Sequence, residues 1–507
     1  MCNKFTFNVS KEINKVLNFS LFIGGNRYPV IKEVALEKSG LLRKLFTEDS
    51  SSIKIDYDDS QKDFQMIANL FSCAVLTLNN RNINYLINAS QFFEIPELFE
   101  AAEIFKEYQE SLDEVLNKPN ELTNLIQLEK HIFSLTDSNY GESKSFIEQF
   151  IKSKYDSRIV ARFIYKACFA RSPTIPLLVK LVSEFENVLK RFIKLVLKEF
   201  NIKQEFNLPN EINFILFYLI EYGIKSEEIL QQITPKVNSM AFWSHLKDKE
   251  GSQEHIEKIK KGENLDSIPN AIRHDDSDTL QKLFISTNFK INDRATSSEY
   301  EIYGFMNKKS TLVEYAAFFG AVKCFKYLML NGAKYPRYVF EIAIAGGNSE
   351  IIHLIEQNES FFISNNSAYN GILFHRQDIF EWLISNYPSA APNFETLLIR
   401  CIDECSFSIF EFLLREGADP NGLPTSPALF SAINNDNLRL VDFLLQLNHV
   451  NAGISDRDGN TVLHNACLNE KIDIVRFLLK NPRIDKNAKN VFILNFNKVL
   501  LYKFIII

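Results

Sequence analysis

The sequence predicts a mainly α chain: a C-terminal solenoid of stacked helix pairs, a helical region before it, and a small α+β domain near the N-terminus. Three observations carry this expectation. A doubled aliphatic step recurs about every thirty residues through the second half of the chain. Apolar residues between positions 106 and 265 return at intervals of three and four. Near the start, Phe19 to Ile23, a glycine turn at Gly24-Gly25-Asn26 and a second apolar run ending at Val30 read as a β-hairpin.

The doubled step occupies positions i, i+1, i+4 and i+5, which share one face of a helix and make a broad apolar stripe. It appears as Ile474-Val475 with Leu478-Leu479, Leu440-Val441 with Leu444-Leu445, Ile409-Phe410 with Leu413-Leu414, and Ile379-Phe380 with Leu383-Ile384. Earlier occurrences are Ile351-Ile352 with Ile355, Cys324-Phe325 with Leu328-Met329, and Thr279-Leu280 with Leu283-Phe284. A small residue precedes the step in phase, as Ala466, Ala432, Cys401, Ala343, Ala316 and Ala271, where a neighbouring helix must approach closely. Together the two patterns predict seven units over residues 266–490.

The anchors Leu283, Leu328, Ile355, Leu383, Leu413, Leu444 and Leu478 lie 45, 27, 28, 30, 31 and 34 residues apart. Helices cannot shorten without losing the stripe, so the short units are expected to give up their connecting hairpins. Turn chemistry survives only in Gly417-Ala418-Asp419-Pro420-Asn421 and in the run from Asp456 to Gly459. The longest interval holds a loop near 286–310, rich in Ser, Asn and Lys, expected to project as a binding feature.

Within the last unit, Thr461-Val462-Leu463-His464-Asn465-Ala466 resembles the ankyrin signature T-P-L-H-x-A, with Val462 in the proline position. The array is similar to ankyrin repeats of a divergent type with short units, abundant in some protists; the usual period is about 33 residues. The resemblance implies pairs of a short inner and a longer outer helix, a binding role, and no reaction. It also implies that Thr461 caps the inner helix and that His464 bonds neighbouring backbone, a structural role.

Residues 18–105 follow another order: the hairpin, a helix through Val34-Ala35-Leu36, a second through Leu41-Leu42 and Leu45-Phe46, and a short strand at Ile53 and Ile55. A helix from Asp63-Phe64 to Leu70-Phe71 comes next, then a helical pair opened by Asn82-Ile83 and continued through Ile95-Pro96-Glu97-Leu98. This order resembles the BTB/POZ domain, which implies a docking and dimerisation module. Many such proteins recruit a cullin scaffold through a hydrophobic-x-Glu step in the loop after the second of these helices. Here Phe46-Thr47-Glu48 comes too early, and Asp49-Ser50-Ser51-Ser52 carries no such step.

Residues 106–265 are expected to form a helical linker, a stalk joining the two modules, with the charged run 257–266 as its boundary. Residues 491–507 form an apolar tail interrupted by Lys498 and Lys503, short for a membrane span.

Net charge −6 over 507 residues offers no global basic field, so nucleic acid is not an expected partner. The seven cysteines show no C-x-x-C pair, and Cys401 and Cys405 read as two small buried residues. No catalytic, cofactor-binding or metal-ligating residue is singled out: there is no phosphate loop, H-E-x-x-H or Cys-His neighbourhood. The expected protein is a non-enzymatic, cytoplasmic or nuclear adaptor or scaffold, holding a protein client on its repeats and self-associating or docking through its N-terminal domain. The alternatives are a substrate adaptor of a cullin-type ubiquitin ligase and a scaffold tethered to a membrane by the tail.

Overall fold

The computed structural model describes residues 6–7, 19–23, 26–46, 52–57, 63–72, 76–80, 82–152, 156–202, 210–224, 229, 242, 252–306, 310–358, 361–390, 393–422 and 427–490. The tail at 491–507, the Gly24-Gly25 turn and residues 47–51 lie outside them.

Strand β1 (Thr6–Phe7) pairs with β5 (Leu76–Thr77) in a small ribbon. Strand β2 (Phe19–Ile23) pairs antiparallel with β3 (Asn26–Val30) and parallel with β4 (Ser52–Ile55), in the order β3-β2-β4. Leu21, Ile23, Ile53 and Ile55 are buried, as the two-residue period of a strand requires. Helices α1 (Lys32–Lys38), α2 (Gly40–Leu45), α3 (Phe64–Phe71) and α4 (Ile83–Phe92) complete this unit. Ser39 joins two of its parts: its Oγ accepts the Leu42 N–H at 3.1 Å, capping α2, and donates to the Phe93 carbonyl at 2.5 Å.

Helix α5 (Pro96–Leu116) opens on a proline, whose missing N–H costs nothing in the first turn. Its stripe of Leu98, Ala102, Phe105, Tyr108, Leu112 and Leu116 is continuous, so the helix runs straight through the boundary expected at 105. After it come α6 (Glu121–Phe133), α7 (Tyr140–Phe150), α8 (Asp156–Ala170), α9 (Ile175–Ser183), α10 (Glu186–Ile202), α11 (Asn210–Glu221) and α12 (Ser252–Lys261).

Seven helix pairs follow: α13 (Ser267–Arg273) with α14 (Ser277–Ser286), α15 (Leu312–Phe319) with α16 (Val322–Leu330), α17 (Val339–Gly346) with α18 (Ser349–Glu356), and α19 (Asn365–Leu373) with α20 (Gln377–Asn386). The last three are α21 (Phe394–Glu404) with α22 (Phe407–Arg415), α23 (Ala428–Asn434) with α24 (Leu438–Gln446), and α25 (Val462–Leu468) with α26 (Ile472–Lys480). The first helices of the pairs stack in an inner row and the second helices in an outer row.

Every inner helix closes with one residue in the left-handed region: Asp275, Gly320, Gly347, His375, Cys405, Asp436 and Glu470, with φ between 51° and 86°. In six pairs a backbone N–H then returns to the carbonyl of the small residue five positions back, at 2.8–2.9 Å; these residues are Ala271, Ala316, Gly371, Cys401, Ala432 and Ala466. This closure identifies Gly371 as the small residue of the fourth pair, which the Ala and Cys pattern passes over. The ring of Phe380 lies 3.2 Å from where its Cβ would sit. Isolated β-bridges join Arg294 to Thr311 and Ser455 to Thr461, before the second and seventh pairs, where the connections are long enough to fold back on themselves.

The stalk expected at 106–265 is instead packed along the array. Helix α6 lies on the outer helices α22 and α24. Arg439 of α24 reaches into the bundle, where it binds Asp156 at 2.8 Å, pairs with Glu121 and lies over the ring of Phe150 at 4.4 Å. Helix α8 runs along the turns between inner and outer helices. Its Arg158 meets Asp436 and Asp473, both at 3.2 Å; Arg162 donates to the Asp403 carbonyl at 3.2 Å; Lys166 meets Glu404 at 2.8 Å. These cations stand one helical turn apart, so one face of α8 addresses three successive repeats.

Candidate partner-binding surface

What the stack can offer depends on which of its faces the chain already covers. Helix α6 covers the outer helices of the fifth and sixth pairs, and side chains of α6 and α8 reach the turn side of the fourth to seventh. Inner-helix residues of the first and second pairs, and Phe374 at the end of the fourth, are met by the loop expected to project. Glu301 of that loop, 1% exposed, accepts from Arg273 at 2.7 Å and from the Tyr315 hydroxyl at 2.8 Å. Tyr303 packs edge-on against Phe318, and Phe305 against Phe318 and Phe374, with ring centroids 4.9 to 5.7 Å apart across this group. Burying these aromatic and carboxylate groups outweighs the loop's polar composition, so the middle of the loop is filling rather than a finger.

Helix α11 holds the loop from the other side. Asn210 Nδ2 donates to the carbonyls of Ser298 at 3.1 Å and Glu301 at 2.7 Å, and Gly304 N–H donates to Glu211 Oε1 at 2.8 Å. Glu211 Oε2 has no partner. Burial pushes the Glu211 carboxyl up to about 7, against the backbone bonds that lower it. With the folded value above the ordinary 4.5, the native chain keeps a proton that the unfolded chain releases. This contribution to stability is full below pH 4.5 and is lost as pH rises through 7. Glu211→Gln keeps the acceptor for Gly304 and has no charge to desolvate. Urea unfolding should find it more stable than the parent by on the order of 2 kcal/mol at pH 8, with the gain vanishing near pH 4.

On the fifth to seventh pairs the inner-helix side is open. Arg400, with its side chain 40% exposed, Asn434, Leu468 and Asn469 line it. Asn435 Nδ2 donates to Asp403 at 2.7 Å and Asn469 Nδ2 to Asn434 Oδ1 at 3.2 Å, a polar row running from helix to helix. A narrow recess beside it is lined by Glu395, Leu398, Ile399, Asp419, Pro420, Pro427 and Ala428. Burial, and then the charge of Asp419, hold the Glu395 carboxyl above its ordinary range.

His464 is 1% exposed, and its Nδ1 accepts the Thr461 N–H at 3.2 Å. The ring takes the part that Glu314 plays for Thr311 in the second pair, where both bonds of a capping box form. Cys401 and Cys405 are buried free thiols; burial pushes Cys405 up to about 11 and Cys401 well above the ordinary thiol range.

Residues 398–490 match the family model for ankyrin repeats in three copies. This segment is built of ankyrin repeats. It coincides with the three pairs whose inner face is open, and ankyrin repeats indicate a role in protein–protein interaction. Alpha-latrocrustotoxin-Lt1a of Latrodectus tredecimguttatus is 27% identical over 126 residues, 23% of this chain; the chain spans only 9% of that relative's length. Among solved structures, the ankyrin repeat domain of Bcl-3, described as a unique member of the IkappaB protein family, is similar at 15% identity and a TM-score of 0.23. That match covers 47% of this chain and 94% of the Bcl-3 domain. Among the described residues no helix is long and apolar enough to cross a membrane.

Proposed function

We propose that this chain is a non-enzymatic adaptor or scaffold, cytoplasmic or nuclear, that captures a protein client on the inner-helix face of its last three ankyrin repeats. The observation that carries the reading is the coverage just described. Helix α6 occupies the outer helices of the fifth and sixth pairs and the cations of α8 occupy the turns beside them, while on the inner-helix side Asn434, Leu468 and Asn469 stay exposed and Arg400 is half-exposed. An arginine and an apolar side chain set in a row of amides are the parts from which a small number of anchoring contacts is made. All seven pairs end the inner helix on a left-handed residue and six share the returning N–H bond, which supports reading the first four as degenerate units of the same array.

The N-terminal unit is read as BTB/POZ-like. Its support is the order of elements: hairpin, two helices, a strand parallel to the first, a helix and a helical pair. Leu45 and Phe92, 46% and 42% exposed, are the apolar side chains that self-association or docking there would bury.

The test is affinity capture with the full-length chain and with a double variant at exposed positions, Asn434→Glu and Leu468→Asp. Proteins retained by the parent should be lost from the variant, while its unfolding free energy stays within about 0.5 kcal/mol, as substitutions at exposed positions allow. Retention of the same proteins by both would overturn the assignment. Cutting the chain at 265 is a poor test, because it strips α6 and α8 of the surface they are packed on.

A further inference from the structure

Residues 298–306 are gripped from two sides, and one of the ties is a carboxyl group buried without a counter-charge. On the array side Glu301 takes Arg273 at 2.7 Å and the Tyr315 hydroxyl at 2.8 Å. On the bundle side α11 supplies Asn210, which donates to the carbonyls of Ser298 and Glu301, and Glu211, whose Oε1 accepts the Gly304 N–H at 2.8 Å. The approach is close: a Cβ on Gly304 would stand 2.5 Å from Glu211 Oε2 and 3.1 Å from the Asn210 nitrogen. Glu211 is 3% exposed, and its Oε2 is sealed from solvent with no hydrogen-bond partner. Among the described residues no salt bridge joins it to a cation.

A carboxylate in such a place gives up its hydration for little in return, so the neutral acid is the form that fits. Burial accordingly pushes Glu211 up to about 7. The groups that face it are Glu301 from the loop, the Cys168 thiol from α8 and Ser172 from the turn before α9. Glu301 is committed to Arg273, and the Ser172 hydroxyl donates to the Phe169 carbonyl at 3.2 Å. Burial holds the Cys168 thiol, and the Tyr303 and Tyr315 hydroxyls of the same cluster, above their ordinary ranges, so these stay neutral around pH 7. His255 of α12 touches the loop elsewhere, its Nδ1 3.0 Å from the Tyr300 hydroxyl and its Nε2 2.9 Å from the Phe242 carbonyl.

We propose that residues 298–306 form a pH-operated cover: a proton on Glu211 seals the loop between α11 and the inner helices, and its loss loosens the loop and bares the rings of Phe318 and Phe374 that Tyr303 and Phe305 pack against. Linkage fixes the direction. An opened loop gives Glu211 to water and to its ordinary value of 4.5, so from there up to 7 the open form releases a proton that the closed form keeps. Opening becomes about tenfold easier for each pH unit in that window and levels off above it. What opens is the loop: the outer helices of the fifth and sixth pairs are held by α6 and stay closed.

Hydrogen exchange of the full-length chain across this pH range and on to about pH 8.5, with each amide corrected for its intrinsic rate, tests the cover. Protection of the 298–306 amides, Gly304 foremost, should fall about tenfold per unit until pH 7 and then level, roughly a hundredfold over the last two units of the fall. The inner helices of the fifth to seventh pairs should hold constant. Glu211→Gln keeps an acceptor for Gly304, carries no titrating proton and leaves His255 in place, so its loop protection should not vary with pH. A parent profile that is flat across the loop, or that falls equally in the last three pairs, overturns the proposal. So does a Glu211→Gln loop that keeps the parent's slope, which would give the switch to His255. The parent profile decides by itself if the variant does not fold.

Discussion

Glu129→Ala should cost about 4 kcal/mol in urea unfolding, the loss expected when one member of a buried charged pair is removed. Glu129 is 5% exposed. Its Oε2 accepts the N–H of Phe407 at 2.7 Å and of Ser408 at 2.8 Å, the first turn of α22, where a carboxylate also meets the positive end of the helix dipole. Its Oε1 takes the Ser408 hydroxyl at 3.0 Å and His375 Nδ1 at 2.7 Å. His375 Nε2 points at the Glu404 carbonyl at 3.1 Å, and the ring stacks on Phe133. Both ring nitrogens therefore face oxygen atoms. Alanine would leave two backbone donors buried without an acceptor and strip His375 Nδ1 and the Ser408 hydroxyl of their partner. The comparison is Asp113→Ala at the same seam: the Asp113–Arg415 pair is 49% and 35% exposed, and its loss should cost about 0–1 kcal/mol. Similar small losses for both variants would mean that the seam is not held by its buried charges.

This seam is also where the sequence was least readable. The array was legible because apolar burial writes a period: every outer-helix step from Leu280 to Leu478 puts at least one of its residues in the core, although Leu283, Met329, Ile379 and Leu479 are only partly buried. Glu129, Arg158, Lys166 and Arg439 write none. A charged residue every third or fourth position on a helix looks the same whether it faces water or a partner helix, so a bundle wrapped on the array read as a stalk. The 286–310 loop misled for a related reason. Its composition is polar on average, and the few side chains that decide its path, Glu301, Tyr303 and Phe305, are spaced without a period. The open surface was legible only in kind. The inner-helix positions flanking the small residue were marked by phase, but Asn434 and Leu468 stand out only through their exposure in the folded array.

Gly346→Ala sets two rules against each other and should destabilise the chain by about 3 kcal/mol. By helix propensity alone, alanine is favoured over glycine by about 1 kcal/mol. Packing opposes it. A Cβ on Gly346 would stand 2.4 Å from the carbonyl oxygen of Phe318 and 2.7 Å from that of Ala317, both on the inner helix of the preceding pair. Backbone oxygens cannot rotate aside, so the second and third repeats must part, and overpacking of this kind costs about 1–3 kcal/mol or more. The carbonyls of Ala345 and Gly346, which the Arg376 guanidinium binds, would shift with them. Gly371→Ala is the internal control. Its nearest neighbour is the Phe380 ring at 3.2 Å, a side chain that can tilt, so the loss should stay below about 1 kcal/mol. Hydrogen exchange should locate the damage: protection falls in the first three pairs and holds in the last three, which α6 and α8 support independently. A neutral or stabilising Gly346→Ala would mean that the inner helices are not in van der Waals register, and the close stacking inferred from their small residues would have to be abandoned.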